Sequence, residues 1–364
     1  KSQKKPVRHL GGEPVDSNCA LYGITRWVEV TLWLCQTFHR TDHHDAISPE
    51  VLKPHRSPRC LSVMSRAVGV IGLGAMGMGV ARSLLRAGFK VHACDVRAEP
   101  LQALAAEGAT THRSAAELAT QVEALVVLVV NAAQTEAVLF GEQGAAPALR
   151  RGAVVIASST VPPRFAQTLG ERLAALGLLH LDAPVSGGAA RAAKGEMTIM
   201  ASGSPQAFAG VEDVLAAIAS KVYRLGDQSG MGSKVKMINQ LLAGVHIAAA
   251  TEAMALGIRA GIDPANLYEV ISNSAGASWM FQNRVPHILA GDYTPLSAVN
   301  IFVKDLGIVL DSARDFTFPL PLTSAAHQMY LATSAAGLGG EDDSAVIKMF
   351  QKLTGIELPG DDRT

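Results

Sequence analysis

The chain has 364 residues, 48% of them hydrophobic and 18% charged, enough apolar material for two domains of ordinary size. Its 32 basic residues balance 32 acidic ones, so no global field favours nucleic acid or an anionic membrane surface. The longest apolar run, Ala124–Val130, falls far short of the ~20 residues of a membrane span, and a soluble protein is expected.

Residues 1–63 carry two of the three tryptophans and five of the eleven histidines, with no sustained period of strand or helix. They read as an appendage outside the fold, since Met64 stands immediately before the first clear strand pattern. His39, His43 and His44 have the residue type of metal ligands, but their spacing alone is weak support, and no metal is expected. Cys19, Cys35 and Cys60 also lie here, and only Cys94 falls in the patterned region. That is no disulfide framework, and a reducing, cytoplasmic setting is expected.

From residue 67 an apolar strand runs to about 72 and into Gly72-Leu73-Gly74-Ala75-Met76-Gly77. A helix follows with Met76, Val80, Leu84 and Leu85 on one face, and Gly88 ends it. A second strand at 89–94 reaches Asp95. Gly72 suits the tight turn, Gly74 the approach of a pyrophosphate, and Gly77 the contact of helix with strand. The helix N-terminus then faces the phosphates, and Asp95 is placed to accept the adenosine ribose hydroxyls. A carboxylate there repels a 2′-phosphate, which favours NAD over NADP; Arg97 is the counterweight, able to reach such a phosphate or to stack on adenine.

Further strands are expected at 124–131, 152–160, 178–188, 196–203 and 221–226, with helices at 114–120, 162–176 and 205–219 between them. The fold class is therefore α/β, a Rossmann-type doubly wound sheet over 64–226, followed by an all-α domain over 227–364. Asn131, Thr160 and Ser186-Gly187-Gly188 fall at carboxyl ends of strands, where such sheets bind ligands. A cleft between the two domains is the expected place for a small-molecule site.

Four stretches, GLGAMGMGVARSLLRAG (72–88), DAPVSGG (182–188), GMGSKVKMINQLLAG (230–244) and KDLGIVL (304–310), occur in the order found in one family. The chain resembles the β-hydroxyacid dehydrogenases, which include 3-hydroxyisobutyrate dehydrogenase and tartronate semialdehyde reductase. The resemblance implies hydride transfer between NAD and a small hydroxy acid, with a polyhydroxylated acid as lead substrate. Reduction of an aldehyde acid is the rival direction, and a non-catalytic binding module a remote one. It also implies that Ser186, Gly187 and Gly188 hold the substrate carboxylate, that Lys304 lies near the cofactor with Asp305 as its partner, and that the protein is a homodimer or homotetramer.

Two lysines compete for the role of acid and base. On a helix Lys236 shares a face with Asn239, Gln240 and Ala243, whereas Lys234 shares one with Met237, Ile238 and Leu241. The polar cluster belongs to Lys236, and the family motif lands there too. A partly buried lysine has its pKa lowered towards neutrality, as proton transfer requires. Asn239 matches the first amide of the family's pair; Gln240 replaces the second and is expected to reach a substrate hydroxyl. His246, further along the helix, reads as a packed histidine more readily than as a ligand.

Overall fold

A computed structural model describes residues 50–52 and 66–361. Six parallel strands, β2 (Ala67–Ile71), β3 (Lys90–Cys94), β4 (Thr110–Thr111), β5 (Ala124–Val127), β6 (Val154–Ala157) and β7 (Leu179–Asp182), form one sheet in the order β4-β3-β2-β5-β6-β7. Crossover helices α1 (Ala75–Arg86), α2 (Ala98–Ala106), α3 (Ala115–Ala119), α4 (Ala132–Phe140) and α5 (Pro163–Ala175) connect them. Alternate strand residues feed two cores: Val68, Val126 and Ile156 belong to one face, Ile71, Leu125 and Val155 to the other. Burial on both faces is why these strands read as continuous apolar runs rather than alternating ones. The strand order reverses between β2 and β5, and the carboxyl ends there define the expected ligand crevice.

The sheet does not continue to residue 226. The stretch expected as a single strand at 178–188 is broken after Asp182, and β8 (Val185–Ser186) belongs to a second sheet with β9 (Met197–Ala201) and β10 (Ala219–Arg224). Pro184, which cannot donate a ladder hydrogen bond, stands at the break. Helices α6 (Gly188–Lys194), α7 (Pro205–Ala209) and α8 (Glu212–Ile218) complete this region. The fourth strand of the second sheet, β1 (Glu50–Leu52), pairs antiparallel with β10, so three residues of the segment read as an appendage join the sheet. The histidine cluster at 39–44 lies outside the described residues.

From Met231 the chain is helical. The 29-residue α9 (Met231–Arg259) is surrounded by α10 (Pro264–Ser272), α11 (Trp279–Ala290), α12 (Val299–Asp315), α13 (Pro321–Thr333) and α14 (Ile347–Thr354). By length and composition α9 is apolar enough to cross a membrane, yet Ile247, Ala250, Thr251 and Met254 bury one side of it in the helical core. Phe302, Leu306 and Tyr330 close that core from α12 and α13.

Candidate functional site

The turn after β2 has the features a phosphate loop needs. Gly72 sits at φ +93°, a conformation an L side chain rarely adopts. A Cβ on Gly77 would fall 1.8 Å from the Gly72 carbonyl oxygen, so only glycine lets α1 start this close to the strand. Gly74, by contrast, faces open space, and the first turn of α1 offers N–H groups without intrahelical partners. Leu73 is buried beneath the turn, while Gly74, Ala75, Met76 and Gly77 line a cavity of about 970 Å³.

Asp95 closes the far end of this turn. One carboxylate oxygen accepts from the Leu73 N–H at 2.5 Å, and the other from the Arg97 N–H at 2.9 Å and Arg97 Nε at 3.2 Å. Burial pushes the carboxyl pKa up, but the hydrogen bonds from Arg97 and Leu73 outweigh it and hold the group below its ordinary value. Arg97 also donates to the Leu73 carbonyl at 3.0 Å, so its guanidinium is tied to the turn. Neither Asp95 nor Arg97 lines the cavity itself. Asn131 does not either: its side-chain oxygen accepts from the Gln134 N–H and caps α4. The strand-end position of Asn131 was visible in sequence, but the capping use competes with a ligand role.

At the end of β6, Thr160 lines the cavity together with Ser159, whose buried hydroxyl has no protein partner. An orphaned buried hydroxyl facing a cavity is costly unless a ligand or water meets it. Together with the open Gly74, it shows that the residues present fit a dinucleotide. Sequence reasoning passed over Ser159, since a serine beside a strand end gives no period or spacing to distinguish it.

The other wall belongs to α9. Asp182, at the carboxyl end of β7, accepts from Gly230 N–H at 2.9 Å, Ser233 N–H at 2.8 Å and Ser233 Oγ at 2.7 Å, so a buried carboxylate holds the helix start. A Cβ on Gly232 would lie 2.4 Å from the Met200 carbonyl oxygen, which explains the second glycine of GMG. The helix thus begins pressed against both sheets, and Lys236 follows one turn later. Nothing in the stretch DAPVSGG gives Asp182 this role in sequence; only the fold brings residue 182 to residue 233.

Lys236 is buried, 7% exposed, and its Nζ donates to Gln240 Oε1 at 2.8 Å. Asn239 Nδ2 donates to the same oxygen at 3.0 Å, and Gln240 Nε2 donates to Asp305 Oδ2 at 2.5 Å. Asp305 Oδ1 accepts from Lys304 Nζ at 2.5 Å, and Lys304 also donates to the Thr160 carbonyl at 3.2 Å. The amide of Gln240 is therefore engaged by the protein through both its oxygen and its nitrogen, which leaves one Nε2 hydrogen for any substrate hydroxyl expected from sequence. The longer side chain spans from Lys236 on α9 to Asp305 on α12. Burial lowers the Lys236 pKa to about 8; Asp305 opposes the shift and Lys304 adds to it. An amine with that value exchanges a proton near neutral pH. Lys234 is half-buried and does not line the cavity.

The same cavity brings Ser186, Gly187 and Gly188 opposite Lys236, Asn239 and Gln240, and it extends along α9 to His246 and across to Arg284. A donor-rich strand end, a neutralisable amine and a phosphate loop on one cavity can bind an acid, take its hydroxyl proton and hold a dinucleotide alongside.

Comparison with known proteins agrees with this geometry. Residues 67–226 match the profile of the NAD-binding domain of 6-phosphogluconate dehydrogenase, and residues 230–350 that of the NAD-binding region of NADP-dependent 3-hydroxyisobutyrate dehydrogenase. The chain is 69% identical over 297 residues to an L-threonate dehydrogenase of Cupriavidus necator, covering 82% of this chain and 99% of that one. It is 55% identical over 294 residues to an L-threonate dehydrogenase of Escherichia coli strain K12, covering 80% and 96%. A crystal structure described as a 3-hydroxyisobutyrate dehydrogenase from Salmonella typhimurium superposes with a TM-score of 0.75 at 56% identity, covering 78% of this chain and all of that one. With a phosphate loop, a C-terminal helical region and relatives of this identity over nearly their whole length, the chain belongs to the 3-hydroxyisobutyrate dehydrogenase-type family of NAD-binding oxidoreductases.

Proposed function

We propose that this protein oxidises the C2 hydroxyl of L-threonate to a 2-oxo acid with NAD⁺, using Lys236 as general base. The observation that carries the chemistry is the buried amine with a pKa of about 8, facing the same cavity as the phosphate loop. The substrate follows from the relatives at 69% and 55% identity, both L-threonate dehydrogenases. Ser186 and the backbone N–H groups of Gly187 and Gly188 hold the carboxylate, as in the motif they match. Gln240, itself held by Asn239, fixes the amine, so that its lone pair faces the substrate hydroxyl once the proton is shed. Gly74, Ala75 and Met76 would hold the pyrophosphate, and Asp95, kept ionised, favours NAD over NADP. Bound NAD⁺ supplies the hydride acceptor. Proton transfer by a placed side chain contributes ~10²–10⁴ in rate.

The partner state supported best is a homodimer through α9. Met231, Val235, Ile238 and Leu242 are 37–51% exposed at spacings of four, three and four, an apolar seam of the kind helices bury against a second copy. Replacing Leu242 by glutamate should then lower the mass measured by light scattering; an unchanged mass would place the contact elsewhere. A cytoplasmic location goes with this reading, and Cys94 is a free thiol.

The test of function is a panel of L-threonate, glycerate and 3-hydroxyisobutyrate with NAD⁺ and with NADP⁺. The highest kcat/KM is expected for L-threonate with NAD⁺. A preference for 3-hydroxyisobutyrate, or turnover only in the reductive direction, overturns the assignment.

A further inference from the structure

The polar end of the cavity beyond Lys236 has no part in the chemistry above. Arg284, on α11, lines it, and its side chain is 10% exposed. Behind it Asp343 is fully buried and grips the guanidinium from one side: Nε donates to Oδ1 at 2.5 Å and Nη2 to Oδ2 at 3.2 Å. Nη1 donates to Asn283 Oδ1. Three of the five guanidinium N–H groups are thus committed, which leaves two for another acceptor.

A cavity serving only a short acid with an apolar tail gains nothing from a guanidinium at its far end. Burying an arginine against a buried carboxylate is at best neutral compared with packed apolar residues. Its two free N–H groups call for oxygen acceptors, and a methyl group in their place would leave them unpaired. Asp343 fixes the plane of the fork, so its direction does not depend on the ligand.

We propose that Arg284, oriented by Asp343, is the distal subsite that donates hydrogen bonds to the C3 or C4 hydroxyl of the substrate and so selects polyhydroxylated over deoxy acids. This rests on the carboxylate lying at Ser186–Gly188 and on L-threonate as substrate. It gives the tail of the chain, with its paired Asp342 and Asp343, a part in selectivity that neither sequence period nor motif spacing assigns. Asp342 has a different use, capping the turn through the Ser344 N–H and accepting from Leu296 N–H.

The test compares L-threonate with 2-hydroxybutanoate, which keeps the carboxylate and C2 hydroxyl and lacks the other two. Where 2-hydroxybutanoate turns over too slowly, its inhibition constant against L-threonate is the measure. Two variants are made: Arg284→Lys, which keeps the charge and loses the fork, and Arg284→Met with Asp343→Leu, which removes both charges and leaves neither unpaired. Both should lose about 10- to 100-fold in kcat/KM for L-threonate, mostly through KM, and less than about 3-fold for 2-hydroxybutanoate. Equal losses on both acids, with a lowered unfolding temperature, would show that the pair only ties α11 to the C-terminal segment, and the proposal fails. Unaltered kcat/KM for L-threonate in both variants also overturns it. If the unmodified enzyme does not oxidise L-threonate at all, it is the functional reading that has failed, a result visible before any variant is made.

Discussion

Replacing Lys236 by methionine should make the protein more stable at neutral pH while abolishing its activity. In the folded chain the lysine pKa falls from 10.5 to about 8, chiefly through burial. Holding that group charged at pH 7 therefore costs ~3 kcal/mol of folding free energy. The folded-state value lies below the unfolded one, so between them the unfolded chain binds the extra proton. Stability consequently rises with pH across that window, and the penalty, fully present below about pH 8, is gone above about pH 10.5. At pH 9.5 only ~1 kcal/mol of it remains. Methionine fills a similar volume without charge and forfeits one hydrogen bond to Gln240, worth ~1 kcal/mol. The variant should thus gain ~2 kcal/mol over the parent at pH 7 and roughly nothing at pH 9.5. Urea unfolding of the cofactor-free protein at the two pH values measures this directly. A stability difference that does not change with pH would mean that Lys236 is not held in the dry, pKa-lowering site described, and the argument for a neutral base would fall with it.

Four further outcomes are expected. Lys236→Ala should lose turnover by at least ~10²-fold while binding NAD⁺ normally by fluorescence titration, and Lys234→Ala should change kcat little; the reverse pattern reassigns the base. Asp95→Ala should raise KM for NAD⁺ more than for NADP⁺, and equal KM values before and after would place Asp95 outside the site. Gln240→Asn shortens the link between Lys236 and Asp305, so kcat/KM should fall by ~10-fold equally on L-threonate and 3-hydroxyisobutyrate, with the acidic limb of the pH profile, where the base must shed its proton, moved; a loss confined to L-threonate would restore a direct substrate role. Deleting residues 1–63 removes β1, and we expect kcat and NAD⁺ affinity to survive, because β10 keeps its pairing with β9; insoluble protein or lost NAD⁺ affinity would show that the segment belongs to the enzyme.

The cofactor half of the site was readable from sequence because its determinants are contiguous: a strand, three glycines, a helix and an acid within thirty residues. The polar cluster around Lys236 was readable for a similar reason, since helical spacing alone groups Lys236 with Asn239 and Gln240. What sequence could not carry were contacts between distant residues. Gln240 meets Asp305 across 65 positions, Asp182 meets Ser233 across 51, and Arg284 meets Asp343 across 59. The amide of Gln240 was expected to face substrate because nothing local reveals a carboxylate arriving from α12. The single strand expected at 178–188 failed for a different reason: both halves are apolar enough, and which sheet each joins depends on the turn at Ala183 and Pro184 rather than on period.

The hold of Asp182 on the start of α9 bears on how such enzymes diversify. Position is inherited from whatever a residue is anchored to, and Lys236 is anchored, through one turn of helix, to the ends of β7 and β9. The other walls of the cavity come from α11, α12 and residues 295–298, which have no share in that anchorage. Drift in those surfaces can reshape what the cavity admits while the amine keeps its station. Reaction and diet are thereby separable traits in one chain, and a laboratory seeking a new substrate should mutate the helical walls and leave the Asp182–Ser233 joint untouched.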